Sequence, residues 1–538
     1  MQLPFTNDRK MSDTKKTNKE IRRYRYDNMR ELAAHAAECF PDTQFFLCND
    51  DHLPYISGEK LYEMCGKAPD YFSSLPPHSH IAILGPGSAV WITAYFGIIS
   101  SGHVAVPLHD GMNPDELMEC IRQADCAMLL YDERCGDTAR RIAKAIPCIR
   151  ITELHDFFEG EDASVSLSYP VLQSDDTAAL HFTSGTTARS RCVKLTNRNM
   201  GSQLSAVFEA LPLKQSDVGL SILPLSHTFE MMTNVAGALH CGGTLYLNES
   251  IRTVKNNLKD KQPTILVAVP LVLQTLQKEI VRTARRQGRM EQLEKAIRLN
   301  RMARKVNIDL SGMLLKEVRD VMGGRLRTII CGGASLDSEL ISFFSALGIE
   351  VLQGYGITEC SPVVSTNSPG HNIAGSIGRV LSCCEVKLID GEICVRGDSV
   401  SPGYYKGEDA DRTAFRDGWF HTGDLGYMDA KGFLYFSGRK KNLIILSNGE
   451  NVSPEELEEH LYREDGVIDA IVYEKAGRIT AEMFVDREVI PDKAAAWGTV
   501  SRVNRRLASF KQISDIILRE SEFEKTATRK IKRYSAAE

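Results

Sequence analysis

The sequence predicts an α/β fold, and three observations carry that expectation. Short apolar strands alternate with helical patterns over residues 81–400. The stretch Ile81–Leu108 contains no Asp, Glu, Lys or Arg, as a unit buried on both faces of a parallel sheet requires. The chain has 538 residues, more than one hydrophobic core ordinarily serves, so two or more domains are expected. Apolar residues at 43% and charged residues at 25% exclude a disordered or fibrous chain. Sixty-five Lys and Arg against seventy Asp and Glu give a net charge of −5, which offers no global electrostatic case for nucleic acid.

The first twenty residues, MQLPFTNDRKMSDTKKTNKE, are polar and carry no apolar run, so no signal peptide is expected there and the segment reads as a mobile tail. The charge-free stretch is long enough to span a membrane, but its punctuation argues against that. IAILG reads as a strand, PGS as a turn, AVWITAYFGIIS as a buried helix, SGH as a break and VAVPL as a second strand. The strand pattern continues through AMLLY, AALHFT, GLSILPL, GTLYL, TILVAV, LRTIICGG and EVLQGYG. From about Ser382 short strands with turns (CEVKLI, GEICVRG, GYYKG, GFLYFSG) suggest an antiparallel or barrel-like subdomain. After Arg439 the text KKNLIILSNGENVSPEELEEHL reads as a strand, a glycine turn and a helix capped by Ser453 with Pro454 at its first position. The remaining hundred or so residues can form a small domain of their own.

Residues 282–305 form a strongly basic helical segment. Its ordinary reading is a solvated helix face; its sharper reading is a landing surface for an anionic membrane or an acidic carrier protein. The fourteen cysteines show no C-x-x-C spacing, so no zinc or disulfide framework is legible, and so many unpaired thiols fit a reducing cytosol.

The densest chemistry lies in His181–Lys194. Thr183, Ser184, Gly185, Thr186 and Thr187 offer hydroxyls and unhindered N–H groups after an apolar strand and before a helical segment, and Arg189, Arg191 and Lys194 add cations. Many donors, a tight bend and positive charge suit a polyphosphate. Gln353-Gly-Tyr-Gly-Ile-Thr-Glu359 puts an aromatic ring beside exposed backbone, with Thr358 and Glu359 supplying oxygens for a hard cation. Asp424 follows a glycine and suits paired hydroxyls; Arg439 adds a cation, and Lys525–Arg533 is a basic loop.

The motifs FTSGTT, LPLSHTFE, QGYGITE, GWFHTGDLG, SGRKKNLIIL and KTATRKIKR occur in the order found in adenylate-forming (AMP-binding) enzymes, and over about residues 25–535 the chain resembles that superfamily. LPLSHTFE, CGGASLD and GRKKNLIILSNGENVSPEELE make it most similar to bacterial long-chain fatty acid–CoA ligases. The resemblance implies a tail over 1–24, an adenylation domain over 25–438 built from parallel α/β subdomains plus a β-barrel-like subdomain, a hinge over 439–442, and a small mobile α+β domain over 443–538. It implies ATP, Mg²⁺ and coenzyme A, or the phosphopantetheine of an acyl carrier protein, with a carboxylic acid as substrate. The unpaired thiols and the polar start point to a cytoplasmic protein, peripheral to a membrane if the basic segment acts as a landing surface.

Roles carry over by position. Thr183–Thr187, Arg191 and Lys194 hold phosphates. Tyr355 stacks on adenine, with Gly332, Gly333, Ala334, Gly354, Gly356 and Thr358 around it. Glu359 ligates Mg²⁺, Asp424 and Arg439 bind ribose, and Lys530 bridges carboxylate and phosphate. His227 matches the position beside the acyl carboxylate, Lys441 the hinge, and Gly449 the thiol channel. Met231, Met232 and Val235 read as core, or as acyl-tunnel lining. The chain departs from the family's phosphate loop at Ala188, Ser190, Arg191 and Cys192, and has Asn442 where Asp is common. The resemblance therefore admits four alternatives: an acyl carrier protein as acceptor, a reaction that stops at the adenylate, an aromatic acid, and a degenerate nucleotide-binding homologue.

Overall fold

The computed structural model describes residues 24–49, 53–160, 169–183, 191–446, 450–525 and 531–533. The first sheet holds β1 (His80–Leu84), β2 (Val104–Leu108), β3 (Cys126–Tyr131), β4 (Cys148–Arg150), β5 (Thr177–Thr183) and β6 (Arg191–Thr196), in the order β4-β3-β1-β2-β5-β6. Strands β1 and β2 run parallel, His80 opposite Val104 through Leu84 opposite Leu108. The helix between them, Ala89–Ser100, is buried at all twelve positions, and Ser88 caps it by accepting from Trp91 N–H. That burial accounts for the charge-free stretch. At 1.5 Å per residue the helix is about 18 Å long, short of the ~30 Å of a bilayer core, and no described helix is long and apolar enough to cross a membrane.

The second sheet holds β7 (Val218–Ser221), β8 (Thr244–Leu247), β9 (Ile265–Ala268), β10 (Thr328–Cys331), β11 (Glu350–Gly356), β12 (Val363–Thr366) and β13 (Arg379–Val380), in the order β13-β12-β11-β10-β9-β7-β8. It is parallel from β8 to β11 and antiparallel at β12 and β13. A large core fills the space between these sheets; Trp91, Tyr95, Phe96 and Phe208 are among its fully buried side chains.

The third sheet is antiparallel: β14 (Cys384–Ile389), β15 (Glu392–Gly397), β16 (Phe415–Arg416), β17 (Trp419–Met428) and β18 (Leu434–Arg439). Gly-Tyr-Tyr-Lys-Gly, read from sequence as a strand, is instead a loop with one isolated bridge, Tyr404 to Val193. After β18 come the short pair β19 (Ile444–Ile445) and β20 (Asn451–Val452), then β21 (Val467–Lys475), β22 (Arg478–Val485) and β23 (Asp515–Leu518). This last body has its own core, drawn from residues 444–516. Ser453 precedes the helix Pro454–Tyr462 as expected, but its hydroxyl bonds Glu455 Oε2 at 2.9 Å and makes no backbone cap.

Two ion pairs and a hydrogen bond seat this C-terminal body on the rest. Arg463 meets Asp337 at 2.7 Å, Arg285 meets Asp465 at 3.0 Å, and Lys278 Nζ donates to the Val467 carbonyl at 3.2 Å. The basic segment is not one helix. It is the end of Pro270–Arg286 and the whole of Met290–Arg304, broken at Gly288, whose φ of +66 favours glycine.

Candidate active site

A cleft of about 2890 Å³ opens where the carboxyl ends of the parallel strands face the third sheet and the C-terminal body. Parallel sheets bind ligands beyond those ends, where the backbone turns away and leaves a crevice. Thr183, Arg191, His227, Gly332, Gly333, Ala334, Gly354, Tyr355, Gly356, Thr358, Glu359, Asp424, Arg439 and Lys441 all line it. Ser184, Gly185, Thr186, Thr187, Ala188, Ser190, Gly449 and Lys530 lie outside the described residues. Their flanks do not: Thr183 pairs with Arg191, Lys525 bridges Ile531, and all four line the cleft.

The phosphate motif does not lead directly into a helix, as its sequence suggested. Strand β6 intervenes, antiparallel to β5. The helix that follows, Asn197–Ala210, has its first turn closed by a capping box between Thr196 and Asn199, so its end N–H groups are partly engaged already. Lys194 is also corrected: it stands opposite Leu180 on β6 and does not line the cleft. Cys192 is fully buried in regular strand, and burial pushes its thiol up to about 12, so neither backbone strain nor thiolate reactivity attaches to it.

Arg191 remains at the cleft. Its Nη1 donates to the Tyr404 hydroxyl at 3.2 Å, and its guanidinium lies 5.2 Å from that ring's centroid. Tyr404 in turn donates to Glu359 Oε1 at 2.8 Å. The second oxygen, Oε2, is buried with no hydrogen-bond partner among the described residues. Burial raises the Glu359 carboxyl above its ordinary range. A buried carboxylate oxygen left open at a cleft fits a hard divalent cation.

Tyr355, at the end of β11, donates to Asp424 Oδ2 at 2.8 Å. Asp424 is buried on β17, opposite Arg439 on β18, whose Nε lies 3.0 Å from Oδ1. Burial, with Asp424 alongside, keeps the Tyr355 phenol protonated. Glu392 supports this strand by accepting from Gly423 N–H at 3.0 Å and from Lys440 Nζ at 3.1 Å. Glycine is required beside the ring: at Gly356 a Cβ would meet the Pro362 carbonyl oxygen at 2.3 Å.

His227 is half-buried and lines the cleft. Its Nδ1 accepts from Phe229 N–H at 3.4 Å. Beside it His181, on β5, is buried and neutral; burial and His227 push it down to about 3. Met231, Met232 and Val235 are buried in a π-helical turn and do not line the cleft, so they are core. Lys441 is lowered to about 8 by burial and by Arg439 and Arg191.

Sequence reasoning missed Tyr404 and Phe436, whose ring lies 6.5 Å from Tyr355. Tyr404 was in plain sight within the Gly-Tyr-Tyr segment, misread as a strand. Asn442 has a local account: its Nδ2 donates to Glu455 Oε1 at 2.6 Å, which an aspartate carboxylate cannot do.

A fold of two linked, mainly parallel sheets, an antiparallel third sheet and a docked small body, with this cleft, is that of adenylate-forming proteins. The chain belongs to the AMP-binding enzyme family, whose model matches residues 33–405. It is similar to long-chain-fatty-acid–CoA ligase 1 of Cavia porcellus, 27% identical over 501 residues, covering 83% of this chain and 70% of that protein. Long-chain-fatty-acid–CoA ligase 5 of Rattus norvegicus is 28% identical over 469 residues, covering 78% and 68%. Among solved structures, the anthranilate CoA ligase AuaEII with anthranoyl-AMP superposes with a TM-score of 0.77 at 20% identity, over 95% of this chain and 97% of that one. The o-succinylbenzoate CoA synthetase of Bacillus subtilis, with its acyl-adenylate, gives 0.75 at 24% identity, over 94% and 98%.

Proposed function

We propose that the protein joins a carboxylic acid to AMP and then to a thiol. In the first step the acid's oxygen attacks the α-phosphorus of ATP; an acyl-phosphate bond forms and pyrophosphate leaves with the bridging electron pair. In the second step the sulfur of coenzyme A attacks the acyl carbon, and AMP leaves. The observation that carries this reading is the convergence on one cleft of Thr183, Arg191, Tyr355, Glu359, Asp424 and Arg439, residues from all three sheets and their connections. The long-chain fatty acid ligases among its relatives favour a fatty acid as the substrate.

Both steps concentrate negative charge, so the protein's contribution is positioning and electrostatic stabilisation. Arg191 and the loop after Thr183 would hold the β- and γ-phosphates. Tyr355 would flank adenine, and Asp424 with Arg439 would take the ribose hydroxyls. His227 would present its ring to the acid's carboxylate. Glu359 Oε2 would hold Mg²⁺, which supplies neutralising charge to the phosphate oxygens. Lys530 would bridge carboxylate and phosphate in the first step. Residues 439–442 would act as the hinge on which 443–538 turns, exchanging the Lys530 loop for the Gly449 side, where the thiol enters.

Pyrophosphate release over short, medium, long and aromatic acids, with and without coenzyme A, tests this. Release should require a fatty acid, and thioester should require coenzyme A. Thioester on an acyl carrier protein alone would reassign the acceptor, and adenylate unaffected by either thiol would reduce the reaction to its first step. ATP binding with no acid-dependent release from any acid would leave only a degenerate nucleotide binder.

A further inference from the structure

Five of the fourteen exposed large apolar side chains among the described residues fall within fifteen positions: Leu299, Met302, Val306, Ile308 and Met313 are 42–72% exposed. Interleaved with them over 298–316 are five Lys and Arg against one Asp, in a chain whose overall charge is negative. Arg304 takes that Asp, Asp309, at 3.1 Å. Arg298, Arg301, Lys305 and Lys316 form no ion pair with another described residue. Arg285 and Arg289 differ: they are engaged by Asp465 and Glu317, which removes them from the landing surface that the sequence suggested.

The segment is held firmly from behind. Leu293 is buried in the core of the second sheet. Asn300 is fully buried, donating to the Ala346 carbonyl at 2.7 Å and accepting from Leu310 N–H at 2.7 Å. These bonds fix the end of the helix Met290–Arg304 and the turn after it, so the apolar side chains are oriented outward by structure. The neighbouring helix, Pro270–Arg286, lines the cleft with Leu271, Leu276 and Ile280, which places the patch one helix away from the site.

We infer that residues 298–316 form a docking surface for an anionic lipid bilayer. Apolar tips within a basic rim match the two attractions a lipid interface offers, burial among acyl chains and charge pairing with headgroups. A second copy of the chain fits less well, since a two-fold contact would set the same basic rim against itself. A protein partner fits less well too: the patch has no aromatic anchor, and lysines are depleted from protein interface cores. The inference concerns where the chain sits, so it stands apart from the reaction proposed above.

Flotation with vesicles of phosphatidylcholine, or of phosphatidylcholine with phosphatidylglycerol, tests it by physical partitioning of the full chain. The protein should float with the anionic vesicles at low salt and be released as salt rises. Met302→Ser/Val306→Ser/Ile308→Ser/Met313→Ser and, separately, Arg298→Glu/Arg301→Glu/Lys305→Glu should each lower the partition coefficient at least tenfold, with unchanged circular dichroism. Both variants should retain pyrophosphate release with a water-soluble acid. Failure to float, or undiminished flotation of either folded variant, would overturn the inference. So would a dimer that the serine variant dissolves, or capture of an acidic carrier protein in place of vesicles.

Discussion

Tyr404 donates its hydroxyl to Glu359 Oε1 at 2.8 Å while accepting from Arg191, so one phenol joins the β5–β6 hairpin to one carboxylate oxygen and leaves the other, Oε2, open. Its role is to set which carboxylate oxygen stays open. Tyr404→Phe keeps the ring beside Arg191 and removes both hydroxyl bonds, of which the one to the carboxylate is the shorter. A hydrogen bond to a charged group contributes about 1.5–3 kcal/mol, so Mn²⁺ binding in the presence of ATP, followed by electron paramagnetic resonance, should weaken roughly tenfold. Unchanged Mn²⁺ affinity would make the hydroxyl structural.

Lys441 is lowered to about 8, chiefly by burial and then by Arg439 and Arg191. A bound triphosphate favours the ammonium, so binding takes up a proton above pH 8. Affinity for ATP should therefore fall between pH 7.5 and 9.5, a range in which an ordinary lysine stays charged. Lys441→Arg, charged throughout, should flatten the profile in calorimetric titrations. A flat profile in the unaltered protein would contradict the placement of this amine.

Glu230 is fully buried, accepts from Asn234 Nδ2 at 2.8 Å, and is pushed by burial up to about 8. The folded protein keeps this proton to about pH 8, whereas the unfolded chain releases it near 4.5. Its stabilising contribution is thus complete below pH 4.5 and is lost progressively up to pH 8. Glu230→Gln, neutral at every pH, should remove much of the decline in melting temperature between pH 5 and 8. Parallel declines in both proteins would refute the assignment.

Asn442→Asp should loosen the C-terminal body. It exchanges the 2.6 Å bond to Glu455 for two facing carboxylates, a loss of about 1–3 kcal/mol. Faster limited proteolysis near residue 442 at neutral pH, suppressed at pH 4 where carboxyls protonate, is the expected result.

Much of this was legible in the sequence, because periodicity and glycine punctuation are local properties. The pair β1 and β2 with its buried helix followed from a run without charges, and the cleft residues followed partly from polar motifs and otherwise from the resemblance to adenylate-forming enzymes. What stayed hidden depended on distant partners. Strand β6 carries Arg191 and Lys194 and so does not stand out as an apolar run, and it exists because β5 offers it an edge. Tyr404 is silent until folding brings Glu359 and Arg191 to its hydroxyl. The single basic helix became two because one glycine outweighed a continuous helical pattern.

Alongside β6, Lys194 N–H donates to the Gly403 carbonyl at 3.1 Å and Tyr405 N–H to the Cys192 carbonyl at 2.7 Å, stitching the Tyr404 segment to the β5–β6 hairpin. Both therefore share one mechanical frame. A swing of the terminal body about residues 439–442 would leave the spacing between Arg191 and Glu359 untouched, so under the proposed reaction whatever these two residues hold would stay gripped from one half of the chemistry to the next.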